Sequence, residues 1–245
     1  SFTFAKKKQR GSTLIKSINS LKVDSWKRSD NKYNIIEIYL KKEIQKGESI
    51  EIEINYTVKL PDSKFTGYGF DNDNFYLKNW LIVFSNISDS HWYNQSNLNL
   101  DDQSLKKSGY KLKISFNKNY YLFSNLIKNK TEILNENKTV YLSGSEINDL
   151  RVNILNEENY RKFQNEKNEV DTDIFKISSL DDAEIKVNRI TNYVKDYFND
   201  NKSVKLLVSK IDYDSNPFYG LNQLPNFLSP FSNEFLEEII FLKSF

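Results

Sequence analysis

His91 is the only imidazole among 245 residues, and cysteine is absent. Catalytic zinc sites are built from His, Asp and Glu, with His in almost every case. Neither an H-E-x-x-H pair nor a three-histidine cluster can therefore be assembled from this chain. The same shortage limits a Ser-His-Asp triad, which His91 could serve once only, and no G-x-S-x-G turn is present to expose a serine. The seven glycines form no Gly-rich phosphate loop. His91, beside Trp92, reads as a structural or surface residue rather than a ligand.

Carboxylates are plentiful and come in adjacent pairs: Asp101-Asp102, Asp181-Asp182 and Glu237-Glu238. A glycosidase needs two carboxyls facing each other across a bond, which sequence adjacency does not supply. Asp181 and Asp182 suit the first turn of a helix, where the backbone dipole is positive. Asp101 and Asp102 suit a turn before a strand, and Glu237 and Glu238 the wet side of a final helix. Aromatics are dense from Phe65 to Trp80, with Tyr68, Phe70, Phe75 and Tyr76 between. They read as the filling of a β-sandwich core in preference to an exposed peptide- or sugar-binding face.

The elements that would position these residues change character along the chain. Ile50, Ile52, Ile54, Tyr56, Val58 and Leu60 alternate with polar residues and predict a half-buried strand ended by Pro61-Asp62-Ser63. A turn at Lys46-Gly47-Glu48 separates it from a strand over Asn34 to Leu40. Further strands are predicted over Phe75–Phe84, Tyr110–Phe116, Tyr120–Ser124, Thr139–Ser143 and Arg151–Leu155, in an antiparallel β-sandwich or saddle-like sheet. The polar stretch 156–173 reads as a link to a second region. From Ser178 the period becomes helical: Ala183, Val187, Ile190, Val194 and Tyr197 share one face. Val204 to Ser209 is a short strand, and Pro217, Pro225 and Pro230 punctuate a loop. Ser232 then caps a last helix expected to turn Phe235, Ile239 and Leu242 inward. The fold class is thus mostly β with a C-terminal α/β segment, divided as 1–172 and 173–245.

Charge narrows the partners. The 35 basic and 33 acidic residues leave a formal net charge of +2, unlike the clustered basic face of a nucleic-acid protein. The short run Lys6-Lys7-Lys8-Gln9-Arg10 reads as a solvated strand end or turn. No apolar run approaches the roughly 18 residues of a membrane-spanning helix. Strand-like Phe2, Phe4 and Ala5 open the chain, and the apolar stretch 239–245 closes it without a cap. Both ends read as cut from a longer protein, whose remainder is then an expected partner.

Several segments, in order, resemble the aminopeptidase N family of gluzincin metallopeptidases, particularly divergent bacterial members. They are the strand from Gly47-Glu48 to Leu60, then Gly67-Tyr68-Gly69-Phe70, Tyr76-Leu77-Lys78-Asn79-Trp80 and Asn97-Leu98-Asn99-Leu100-Asp101-Asp102. The strand pair Lys111–Phe116 and Tyr120–Asn125 follows. The helix at Ser178–Asn199 and the segment Lys205–Asp212 resemble the opening of the family's catalytic domain. The resemblance implies an N-terminal saddle-like β-domain followed by the beginning of a thermolysin-like domain.

The departures from the family are as informative. Its G-x-M-E-N motif, which holds the substrate's free ammonium, would fall on Gly220-Leu221-Asn222-Gln223-Leu224, where only the glycine matches. Gly220, Asn222 and Gln223 are accordingly the candidate substrate-binding residues, and Gln223 offers a hydrogen bond without a charge. The segment 235–245, where the zinc helix should follow, holds Glu237 and Glu238 but no histidine. No catalytic residue and no metal ligand is assigned. Zinc is the cofactor of active relatives, and this chain is expected to carry none. The H-E-x-x-H helix either follows beyond Phe245 or has been lost, leaving a pseudopeptidase that binds peptide or protein as a scaffold. The altered Gln223 favours loss.

Overall fold

Most of the chain obeys the two-residue period of the extended backbone. A computed structural model of the protein describes residues 5–30, 32, 34–63, 67–78, 80–88, 91–93, 106–156, 158–165, 168–199, 204–214 and 232–244. In chain order these form β1 (Ser12–Asn19), β2 (Val23–Arg28), β3 (Ile36–Leu40), β4 (Glu53–Lys59), β5 (Gly69–Asp71), β6 (Asn74–Lys78), β7 (Asn86–Ser88) and β8 (His91–Tyr93). There follow β9 (Ser108–Asn117), β10 (Tyr121–Ser124), β11 (Ile127–Leu134), β12 (Asn137–Ile147), β13 (Arg151–Leu155), β14 (Arg161–Gln164) and β15 (Asn168–Thr172). Helix α1 (Leu180–Tyr197), β16 (Val204–Val208), α2 (Lys210–Asp214) and α3 (Asn233–Ser244) complete the described residues. The protein is mostly β, with its long helices near the C-terminus.

Two compact units result, one of Lys6–Leu60 and Trp80–Lys107, the other of Ser1–Ala5, Pro61–Asn79 and Ser108–Phe245. In the first, β1 pairs with β4, β2 with β3 and β7 with β8, all antiparallel. The expected alternation in β4 is observed: Ile54, Tyr56 and Val58 are half-buried while Glu53, Asn55, Thr57 and Lys59 face water. The turn at Gly47 is also found. Glu48 N–H reaches Gln45 O at 3.0 Å, and Gly47 takes φ 89°, the positive value a type II turn requires at its third position. The basic run opens as an exposed 3-10 turn over Lys7–Gln9.

The second unit holds a four-stranded sheet ordered β10-β13-β6-β5, a three-stranded sheet β11-β12-β9 and a sheet β14-β15-β16. The last contains the one parallel pair among the described residues, β15 with β16, and α1 provides the helical crossover such a pair needs. Val170, Leu206 and Val208 on one face of this sheet pack with Phe175, Ala183, Val187, Ile190 and Phe241. On the other face, Leu207 packs with Leu155 and Tyr160. Helix α1 begins as expected. Ser179 Oγ accepts the Asp182 N–H, and Asp181 and Asp182 occupy the first turn. Ser232 Oγ likewise accepts the Phe235 N–H at 3.3 Å.

Several expectations are corrected. The polar stretch 156–173 is not a link; Phe163 and Val170 anchor β14 and β15 in the core despite their polar neighbours. The strand from Phe75 stops at Lys78. Tyr197 points to solvent at 74% exposure, and Lys195 is buried instead, its ammonium donating to Asn168 Oδ1 at 2.7 Å. In α3 the buried residues are Glu237 and Phe241, while Phe235 and Leu242 are exposed. Four consecutive apolar residues, 239–242, cover every direction around a helix, so their pattern could not choose a face. Phe2 and Phe4 lie outside the described residues. No helix among those described is long and apolar enough to cross a membrane.

Candidate functional site

Side chains on a strand alternate between faces, so Arg151, Asn153 and Leu155 of β13 point to one side. That face is graded from charged to apolar, and the segment from β16 into α2 docks along it. At the charged end, Arg151 Nη1 donates to Asp212 Oδ2 at 2.5 Å, and Nε donates to Asp149 Oδ2 at 2.9 Å. Tyr68 Oη donates to Asp212 Oδ1 at 2.7 Å. Lys78, opposite Arg151 in the β13–β6 register, donates to Tyr68 Oη at 3.3 Å and stands 3.7 Å from Asp149 Oδ2. Its ammonium also lies 4.8 Å from the centre of the Tyr68 ring. Two cations and two carboxylates thus balance. Asn125 fixes the strand end, accepting the Arg151 N–H at 3.0 Å and donating to Asp149 O at 2.6 Å.

Glycine brings Tyr68 to this cluster. Gly69 has φ +124°, and a Cβ there would lie 2.1 Å from Pro61 O, the carbonyl that accepts the Phe70 N–H at 2.8 Å. No other residue type fits this close approach.

The middle of the face is hydrogen-bonded and buried. Asn153 Nδ2 donates to Tyr160 Oη at 2.8 Å, which donates to Ser209 Oγ at 2.7 Å. Ser209 Oγ donates to Asp173 Oδ2 at 3.4 Å, and Asp173 Oδ1 accepts the Lys210 N–H at 2.7 Å. Ser209 is only 1% exposed and already bonded on both sides, so its hydroxyl is closed off from any substrate. Burial pushes the Tyr160 hydroxyl well above the usual phenol range. Tyr68 is raised in the same direction by burial and then by the Asp212 charge. Both phenols remain neutral donors. The arrangement is a clamp holding the β16–α2 segment on β13.

Burial also raises Asp212, Asp173 and Asp171 above the ordinary carboxylate range; for Asp212 it outweighs the opposing Arg151 charge and Tyr68 hydroxyl. A carboxyl whose folded pKa exceeds its unfolded one binds protons more tightly when folded, so stability rises as pH falls through that interval. Replacing Asp212 with Asn removes one contribution. The stability of the wild type relative to Asp212→Asn should therefore increase on acidification from neutral pH toward the ordinary carboxylate pKa, measured by urea unfolding at each pH. A difference that shrinks would contradict the sign.

A second polar centre lies on α3. Glu237 is 5% exposed, not on the wet side. Its Oε1 accepts the N–H groups of Lys176 and Ile177, each at 2.7 Å. Its Oε2 accepts the Ser178 N–H at 3.1 Å and the Ser178 hydroxyl at 2.8 Å. Consecutive amides converging on one anion form a backbone nest, here filled from within the chain just ahead of α1. Glu238 is also engaged, with Arg189 and, at 3.5 Å, Lys186.

His91 sits exposed on β8, in the other compact unit. Of the aromatic group, Tyr68 joins the clamp, Tyr76 packs beside Leu155 and Tyr160, and Phe70 is 41% exposed against Phe75. Phe65, Asp101, Asp102, Gly220, Asn222 and Gln223 lie outside the described residues. Among the described residues no three His, Asp or Glu side chains are grouped to hold a metal ion. The clamp had no signature in the sequence, since Arg151 and Asp212 look like ordinary surface charges until the fold joins them. No protein-family model and no curated protein matches the chain.

Proposed function

We propose that the chain is a non-catalytic part of an aminopeptidase-like protein: a β-domain followed by the opening of a thermolysin-like segment, framing a peptide cleft. In this reading Gly220, Asn222 and Gln223 are the substrate-binding residues that the resemblance implies. Strand-rich sheets followed by α1, β16 and α3 support it, a helix, a strand and a last helix being the order the resemblance implies. The observation that carries the non-catalytic part is the state of α3. The helix standing where a zinc helix is expected has no histidine, and its two adjacent carboxylates are committed to the backbone nest and to Arg189. Neither is available to a metal.

Zinc titrated calorimetrically into chelator-treated protein should show no tight stoichiometric site, and aminoacyl-nitroanilide substrates should not turn over. A tight one-to-one site, or turnover abolished by chelator, would overturn the reading. The alternative, a pseudopeptidase acting as a non-catalytic peptide- or protein-binding scaffold, is favoured by an open cavity in the first compact unit.

A further inference from the structure

We infer that this cavity, walled by β1, β2 and the segment entering β4, binds a short cationic peptide. The site belongs to the first compact unit alone and does not depend on the peptidase reading. Its volume is about 1020 Å³, at the upper end of ligand pockets. Ile18 and Val23, both buried, and half-buried Ile50 give it an apolar floor, and Trp26, 37% exposed, forms one wall. Asp24, Glu51 and Glu53 stand around it as carboxylates.

The one basic lining residue, Lys22, does not neutralise them. Its ammonium donates to Ser49 O at 3.2 Å and lies 3.8 Å from Glu48. Elsewhere, exposed glutamates such as Glu37, Glu132 and Glu136 each have a lysine within reach. Among the described residues Glu51 and Glu53 have no ion-pair partner. Three carboxylates against one occupied ammonium make a negative site in a chain of net charge +2.

A partner complementary to this surface carries Lys or Arg beside apolar side chains. Its cation would be held by the carboxylates and by the Trp26 face, and its apolar residue would cover Ile18, Val23 and Ile50. Backbone recognition is open as well. Among the described residues β1 pairs only with β4 and β2 only with β3, so each has an edge able to add an extended segment.

The test is fluorescence anisotropy with a labelled, end-blocked Leu-Arg-Phe-Lys peptide, compared with the same peptide carrying Glu in place of Arg and Lys. The cationic peptide should bind saturably and weaken with added salt, and the acidic one should not bind. Glu51→Gln with Glu53→Gln, both at exposed positions, should reduce affinity on the order of tenfold with an unchanged circular dichroism spectrum. Spermine should compete poorly, lacking the apolar part. No saturable binding, equal binding of both peptides, indifference to the double variant, or full displacement by spermine at the peptide's own affinity would each overturn the proposal.

Discussion

Replacing Glu237 with Ala should destabilise the protein by about 3 kcal/mol, because the Ile177 and Ser178 amides and the Ser178 hydroxyl lose their acceptor in a partly buried place, while the Lys176 N–H keeps Ile174 O at 2.9 Å. The carboxylate receives the amides of Lys176, Ile177 and Ser178 together with the Ser178 hydroxyl, and joins α3 to the turn from which α1 starts. Glu237→Gln keeps one acceptor oxygen but presents an amide N–H₂ to donors, so it should lose roughly 1–2 kcal/mol. Urea unfolding followed by far-ultraviolet circular dichroism measures both. Hydrogen exchange of amides 177 and 178 localises the effect, since these should lose protection in the Ala variant more than amides in the middle of α1 do. A loss under about 1 kcal/mol for Ala, with those amides still protected, would mean that water replaces the carboxylate without penalty.

The second large effect is expected at the clamp. Arg151→Met leaves Asp212, whose side chain is 9% exposed, without its cation, and breaking a buried pair from one side costs about 3 kcal/mol. Asp212→Leu alone strands the guanidinium between Asp149 and an apolar neighbour and should cost a similar amount. The double variant Arg151→Met, Asp212→Leu should lie nearer the wild type than either single change, because two buried charges are then removed together. A double-mutant cycle should give a coupling of about 2 kcal/mol. Additive losses would show that the two side chains act independently despite their 2.5 Å approach.

How far such contacts could be foreseen depends on their range. Ser232 was legible as a cap, and Asp181 and Asp182 as a first helical turn, because each needs only the next few residues. The alternation of β4 was legible because successive strand side chains must point to opposite faces. The charged residues of β14 and β15 concealed two strands, since Lys162, Glu169, Asp171 and Lys205 gather on one side of the sheet and pair there. A polar composition then resembles a loop, although Phe163 and Val170 are core residues. The candidate residues Gly220, Asn222 and Gln223 rest on the resemblance alone.

The sequence by itself determined the shortage of imidazole and thiol, the strand-rich character, and the start points of α1 and α3. Composition needs no fold, and alternation and capping are settled within one or two turns of backbone. Only the tertiary structure decided that Glu237 faces inward, that Arg151 meets an aspartate 61 residues away, and that Glu51 and Glu53 border a cavity. A carboxylate is equally at home in water or among buried donors. Which environment it meets depends on where distant segments are brought by the packing of the apolar core.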